Sequence, residues 1–456
     1  MIRLLAAAML LLPVAAPCAE APPDERIAAY QEFRHSFDAG DYAAALPAAT
    51  RVVELTRGQF GKDAAQLANP LTNLGTTYYR MRRFGDALDS YREALTLLDL
   101  AGNATDERLV RPLHGLGAAL RALDRDAEAI APFRRAVEIL RNREGLYTAS
   151  QLPLMKELIG CYTAAGQLAD ASRDQQYAFT VAETAFGKDD LRLLGPLDDY
   201  AQWQEAAGQF GAARVLHARA VQLADAKLGE RNLAAIPGLR GIARTYRLAF
   251  LYGETEESAQ AAAALQDQLA PSMMARVVNT PSSEGERALR NALERVNANA
   301  EARPALRAEV LLDLGDWYLI TGNGPRAMAS YRDAWQALGA GAEKLLGAPQ
   351  MLVYRPPAMA VSRHGFSADT HEEQEVQLRL AVQPTGEVRE AIVMNPAPER
   401  ESAERAVISA LKRGLWRPGL RDGNPVAVND IGFRERVFVR RPRDKETKEA
   451  KEKDAK

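Results

Sequence analysis

The sequence predicts a mostly α-helical repeat array followed by a small α+β module, and three observations carry that prediction. Ala45, Ala87, Ala129, Ala171 and Ala213 stand 42 residues apart. Within one such period the apolar residues recur at helical spacings. Past Gly347 the apolar spacing shortens toward the two-residue alternation of a strand.

Neighbouring columns repeat at the same interval. Leu74, Leu116 and Leu158 are continued by Tyr200 and Ile242; Ala94, Ala136, Ala178 and Ala220 form another column; Tyr42, Phe84, Leu168 and Phe210 form a fourth, broken by Asp126. A fixed period of this size implies supersecondary units stacked on one another, so function is sought on a long surface and in whatever is attached to it.

Each period reads as two helices. Leu74-Gly75-x-x-Tyr78, then Phe84, Ala87, Tyr91 and Ala94, put apolar residues on one face of each. Gly40, Gly166, Gly208 and Gly322 supply the tight turn between them, because Gly takes a positive φ without steric cost. The Ala columns fit helices that cross too closely for a larger side chain. Gly61, Gly145, Gly187 and Gly229 end the second helix of successive units, with Asn103 expected in the missing left-handed place. Pro70, Pro112, Pro153, Pro196 and Pro237 then fall in the first turn of the next helix, where a missing N–H costs nothing.

These residues resemble the tetratricopeptide repeat (TPR) family, in its 42-residue, kinesin-light-chain-like variant, over residues 24–340. The resemblance implies a right-handed α-solenoid of TPR helical hairpins. A late copy is Leu314-Gly315-x-x-Tyr318 with Ala327, Tyr331 and Ala334. Around 250–305 the register fails at Pro271, Pro281 and Ser282-Ser283, and degenerate hairpins with an insertion are expected there.

In the last part Val376, Leu378, Leu380 and Val382 alternate with polar residues, and Pro384-Thr385-Gly386 turns the chain into a second strand from Val388 to Met394. A helix over Ser402–Leu415 carries Ala403, Ala406, Val407, Ala410 and Leu411 on one face; a third strand ends at Phe438 and Val439. Pro349, Pro356 and Pro357 mark a boundary that few contacts should cross, so the module over 350–441 is expected to fold alone.

Tyr354-Arg355-Pro356-Pro357, Gly386, Ala403 to Ala410, Trp416 with Pro418, Gly423-Asn424-Pro425 and Phe433 resemble the pattern of the TonB family's carboxy-terminal domain. Where that family carries Trp, four residues before the Pro, this chain has Gly414. The resemblance implies that the edge of the last strand, with Phe433 and Val437, takes an extended segment of an outer-membrane transporter as an added strand.

Arg3 and the apolar stretch Leu4 to Ala16, ending near Pro17-Cys18-Ala19, read as a signal peptide over residues 1–19. That stretch is shorter than the roughly 20 residues a bilayer span needs. A periplasmic location is expected; lipidation at Cys18 and retention as an inner-membrane anchor are the alternatives. Without Cys18, the remaining thiol is Cys161, read as a small buried helix residue. The tail over 442–456 mixes Lys, Arg and Glu and reads as disordered.

A net charge of -2 gives no bulk attraction to nucleic acid. The five His residues are scattered, His371-Glu372-Glu373 lacks the second His of a zinc helix, and no phosphate loop precedes a helix. No catalytic residue, cofactor or metal is expected. Arg240, Arg244 and Arg247 form a stripe on a first helix, either lining a peptide-binding groove or neutralised by Asp198, Gln202 and Glu205 one repeat earlier. The sequence therefore points to a non-catalytic periplasmic scaffold for protein or peptide partners. The alternative is a TonB-like energy transducer in the inner membrane that couples to outer-membrane transport.

Overall fold

The computed structural model describes residues 25–269, 281–357, 360 and 371–440. The expected signal peptide and the charged tail lie outside the described residues. The chain divides into two compact units, 1–185 and 186–456. No helix among the described residues is long and apolar enough to cross a membrane.

In the first unit α1 (Glu25–Asp38) pairs with α2 (Tyr42–Phe60), α3 (Ala68–Arg80) with α4 (Phe84–Leu100), and α5 (Val110–Arg121) with α6 (Asp126–Glu144). Next come α7 (Leu152–Ala164) and α8 (Leu168–Phe186), whose last residue falls in the second unit. The periodic columns have the places their spacing requires. Ala45, Ala87, Ala129 and Ala171 are fully buried. The Gly of the Leu-Gly pair has a role beyond helix propensity: a Cβ at Gly75 would lie 2.8 Å from the Tyr91 ring, and one at Gly117 2.6 Å from Phe133.

The hairpin turns use left-handed residues at Gly40 and Gly166, with φ of 78° and 73°. Between them Arg82 and Asp124 adopt the same conformation, at 60° and 57°. The geometry persists where Gly is absent, at roughly 1–2 kcal/mol for each Cβ. Asn103, in contrast, is not the left-handed residue of its loop. Gly102 takes that place with φ 81°, and the Asn103 side chain accepts the Thr105 N–H at 3.2 Å. A Gly one residue earlier enters this region without cost, so the cap moves to it. Ion pairs between residues 36 apart, Arg57 with Glu93 and Arg135 with Asp99, tie α2 to α4 and α4 to α6, and Arg143 with Glu107 ties α6 to the segment just before α5.

In the second unit α9 (Leu194–Ala206) pairs with α10 (Phe210–Leu228), followed by α11 (Ile236–Tyr252), α12 (Glu256–Leu269) and α13 (Pro281–Ala298). The break in register has a simple form. α12 lies on α10, and α13 takes the place beside α11 and α14 (Pro304–Ile320), where Ala288, Ala292 and Val296 pack with Ile236, Leu239 and Val310. The insertion is thus a helix placed ahead of the one that packs on α11. α14 pairs with α15 (Gly324–Leu338), and α16 (Ala342–Leu346) closes the helical part.

The expected strands and helix follow as β2 (His371–Val382), β3 (Val388–Val393), α17 (Glu401–Lys412) and β7 (Val428–Arg440). They form an antiparallel sheet in the order β3-β2-β7. α17 covers one face, so that Val376, Leu378, Leu380, Val437 and Val439 share a core with Ala403, Val407 and Leu411. Four short strands were not expected: β1 (Gln350–Val353) pairs with β4 (Leu415–Arg417), and β5 (Gly419–Arg421) with β6 (Asn424–Val426). Gly386 has φ 86°, its carbonyl accepts the Trp416 N–H at 2.8 Å, and a Cβ there would fall 2.1 Å from the Trp416 carbonyl oxygen. This turn tolerates only Gly.

The expected sparse boundary at Pro349, Pro356 and Pro357 is corrected by the packing. Leu420 is buried among Leu311, Leu314, Trp317 and Tyr331, and Leu352 and Leu415 pack on the same cluster. The short strands carry apolar residues on their outer side, and α14 and α15 cover them.

Candidate functional site

The arginine stripe lies on α11, and each of its members meets a carboxylate. Arg240 donates to Asp313 and Glu309 of α14, both at 2.5 Å. Arg244 donates to Glu205 of α9 at 2.7 Å, and Arg247 lies 3.7 Å from Asp316. Of the expected acidic partners, Glu205 takes Arg244 and also the His217 ring at 2.9 Å, while Asp198 accepts from Gln202. Burial works against the charge on Arg240, but Asp313 and Glu309 outweigh it and hold the guanidinium above its ordinary range. Burial likewise raises Glu205, and the bonds from His217 and Arg244 outweigh it and lower the carboxyl overall. A cavity of about 160 Å³ remains between Arg240, Arg244, Arg247, Leu289, Asp313 and Trp317. Asp313 is the one carboxylate of its lining; the other partners of the three arginines, Glu309, Glu205 and Asp316, lie outside it.

Sequence spacing gave no hint of the network beside it. Arg417 of β4 donates two hydrogen bonds to Asp316 of α14, at 2.8 and 2.6 Å, and the Tyr331 hydroxyl donates to the same carboxylate at 2.9 Å. Asp316 and Arg417 are buried. Burial and the Asp316 charge push the Tyr331 hydroxyl well above its ordinary range. This pair fixes the module on the last helical hairpin.

β7 presents a different kind of surface. It is 13 residues long and pairs with β2 on one side. No strand among the described residues pairs with its other side. The direction of its backbone groups follows from β2. The Gln377 carbonyl accepts the Met394 N–H at 2.8 Å and its own N–H donates to Asn395 Oδ1 at 2.9 Å, so odd-numbered residues of β2 face β3 and even-numbered ones face β7. Val376 opposite Glu435 and Leu378 opposite Phe433 are then the hydrogen-bonded pairs of the β2–β7 ladder. In β7 it is Gly432, Arg434 and Arg436 that turn their N–H and C=O groups away from the sheet.

Phe433 and Val437, expected at the docking edge, therefore have other places. The Val437 side chain is fully buried under α17 and its amide faces β2, so it supports the edge from behind and cannot touch a partner. Phe433 is half-buried and meets Tyr354 edge-on, with ring centroids 5.4 Å apart. The Tyr354 hydroxyl donates to Glu435 at 2.6 Å. The side chains exposed beside the edge are Arg434 and Arg436. The strand's alternation could have shown this, since the residues between the core positions must point outward.

Cys161 is buried in α7, as expected of a small helix residue. Among the described residues no group of three or more His, Cys, Asp or Glu is placed to hold a metal ion.

The tetratricopeptide repeat family matches residues 35–100. Protein KINESIN LIGHT CHAIN-RELATED 3 of Arabidopsis thaliana is 29% identical over 130 residues, which is 27% of this chain. The match spans only 20% of that relative's length. Among solved structures, a Podosopora anserina protein of nearly identical TPR-like repeats aligns with 18% identity and TM-score 0.36, over 46% of this chain and 98% of its own. The apo quorum sensor NprR from B. thuringiensis aligns with 15% identity and TM-score 0.34, over 69% of this chain and 88% of its own. These two overlaps carry no argument about activity. Taken with the 42-residue columns, the sequence matches show that the chain carries TPR repeats of the kinesin-light-chain type.

Proposed function

We propose that the chain is a non-catalytic scaffold that holds a protein partner by taking an extended segment as an added strand along β7. The observation that carries this reading is a long edge strand whose Gly432, Arg434 and Arg436 backbone groups point outward, unpaired among the described residues. Such an edge is a template for strand addition, in which main-chain hydrogen bonds supply affinity. The helical repeats carry the edge and offer further surface. The arginine stripe belongs to the internal framework and is withdrawn from the binding surface by its carboxylate partners.

The reading extends to place and partner. The signal-like character of residues 1–19 supports a periplasmic place for the scaffold, where segments of outer-membrane transporters, in keeping with the TonB-like order of strands and helix, would be its partners. Isotope-labelled spectra of the full chain, titrated with periplasm-facing transporter segments, test it. Shifts centred on the amides of Gly432, Arg434 and Arg436 are expected; saturating segment with no shift in β7 would overturn the reading. N-terminal sequencing of native protein tests the location: a start near Glu20 supports the periplasmic scaffold, and an intact Met1 in the membrane fraction supports an anchored transducer.

A further inference from the structure

We infer that the segment accepted by β7 alternates acidic and apolar residues and belongs to another protein, not to a second copy of this chain. The inference rests on the strand-addition reading and concerns what the edge selects. Residues on one face of paired strands lie within about 5.5 Å of their cross-strand neighbours, so an incoming strand is read by the side chains of β7 on both faces.

The two faces differ in chemistry. On the face away from α17, Arg434, Arg436 and Arg440 are exposed, with Gly432 before them. Across the sheet on β2, Arg434 is opposite Gln377, and Arg436 is opposite Glu375 with a long contact to Glu373 at 3.4 Å. Arg434 has no ion-pair partner among the described residues. A neighbour on the outer side of β7 therefore meets two adjacent guanidinium groups, Arg434 and the weakly compensated Arg436, followed on the same face by Phe438 and Arg440. On the other face the neighbours are Ile431 and Phe433, half-buried at the margin of the core that holds Val437 and Val439, and then Glu435, whose carboxylate already accepts the Tyr354 hydroxyl. Carboxylates on one side of the incoming strand and apolar groups on the other satisfy both faces.

The same arginines disfavour a second copy. An antiparallel pairing of two β7 strands about Glu435 sets Arg434 of each against Arg436 of the other on one face. Like charges directly opposite are destabilising, and charged residues on edge strands are a known barrier to self-pairing.

The test uses the full chain and three synthetic peptides of equal length, alternating Val with Glu, with Thr, or with Lys, read by fluorescence anisotropy at low and high salt. The Val/Glu peptide is expected to bind about tenfold more tightly than Val/Thr, with the advantage shrinking as salt rises, and Val/Lys most weakly. Arg434→Glu with Arg436→Glu should reverse the order of Val/Glu and Val/Lys, and circular dichroism should show the fold retained. Equal binding of Val/Glu and Val/Thr, both abolished by Arg434→Pro, would overturn the charge preference and leave strand addition standing. Binding of none of the three would overturn strand addition and this inference with it. Concentration-dependent dimerisation in sedimentation, relieved by Arg434→Pro, would make a second copy the occupant and overturn the choice of partner.

Discussion

Arg417 and Asp316, 101 residues apart, form a buried two-pronged ion pair with N···O distances of 2.8 and 2.6 Å. Asp316 also accepts from Tyr331 and lies near Arg247, so one carboxylate joins α11, α14, α15 and β4. Removing it leaves the buried Arg417 guanidinium without its counter-charge and takes the nearby carboxylate from Arg247.

Asp316→Ala is therefore expected to destabilise the second unit by about 3–5 kcal/mol. Asp316→Leu combined with Arg417→Met should recover most of that loss, because a buried pair gains little over well-packed apolar residues. Denaturant midpoints check both. A double variant no more stable than Asp316→Ala would mean the pair contributes more than mutual neutralisation.

Overpacking tests the repeat geometry. Ala129 is fully buried in α6, and Ala129→Leu should cost about 1–3 kcal/mol as α5 and α6 are forced apart. Thermal unfolding that matches the wild type would contradict the close crossing.

Much of this was legible in the sequence, for physical reasons that differ by element. Ala87 and Gly75 recur because backbones and rings touch there, and a contact repeated at every period leaves a column. Arg82 and Asp124 hid the same turn behind ordinary side chains. The insertion α12 was seen only as lost register, since Glu256–Leu269 says nothing locally about packing one repeat back on α10. The three-residue strands β4, β5 and β6 are too short to show alternation. Arg240, Arg244 and Arg247 were visible as a stripe, but two of their partners, Asp313 and Asp316, lie in a helix about 70 residues away in sequence. The sequence could locate the charges there and could not say that they cancel.

Cys161 provides a chemical check. Burial pushes its thiol up to about 12, with Arg121 opposing the shift only in part. The folded value lies above the unfolded one of about 8.5, so folding favours the protonated thiol. That contribution is intact below about pH 8.5 and is lost as pH rises toward 12. Peptide mapping after alkylation at pH 8 should find Cys161 unmodified in native protein and fully modified in denaturant. Rapid native labelling would contradict the burial.

The most direct test of the docking edge is a proline scan of β7 in the full chain. Proline at Arg434 or Arg436 removes an outward N–H and leaves the β2 ladder intact, whereas proline at Glu435 removes an inward one. Arg434→Pro and Arg436→Pro are expected to keep the wild-type unfolding midpoint within a few degrees and to lose the bound segment, while Glu435→Pro destabilises the module itself. Undiminished binding in both Arg434→Pro and Arg436→Pro, with the fold intact, would contradict strand addition at this edge.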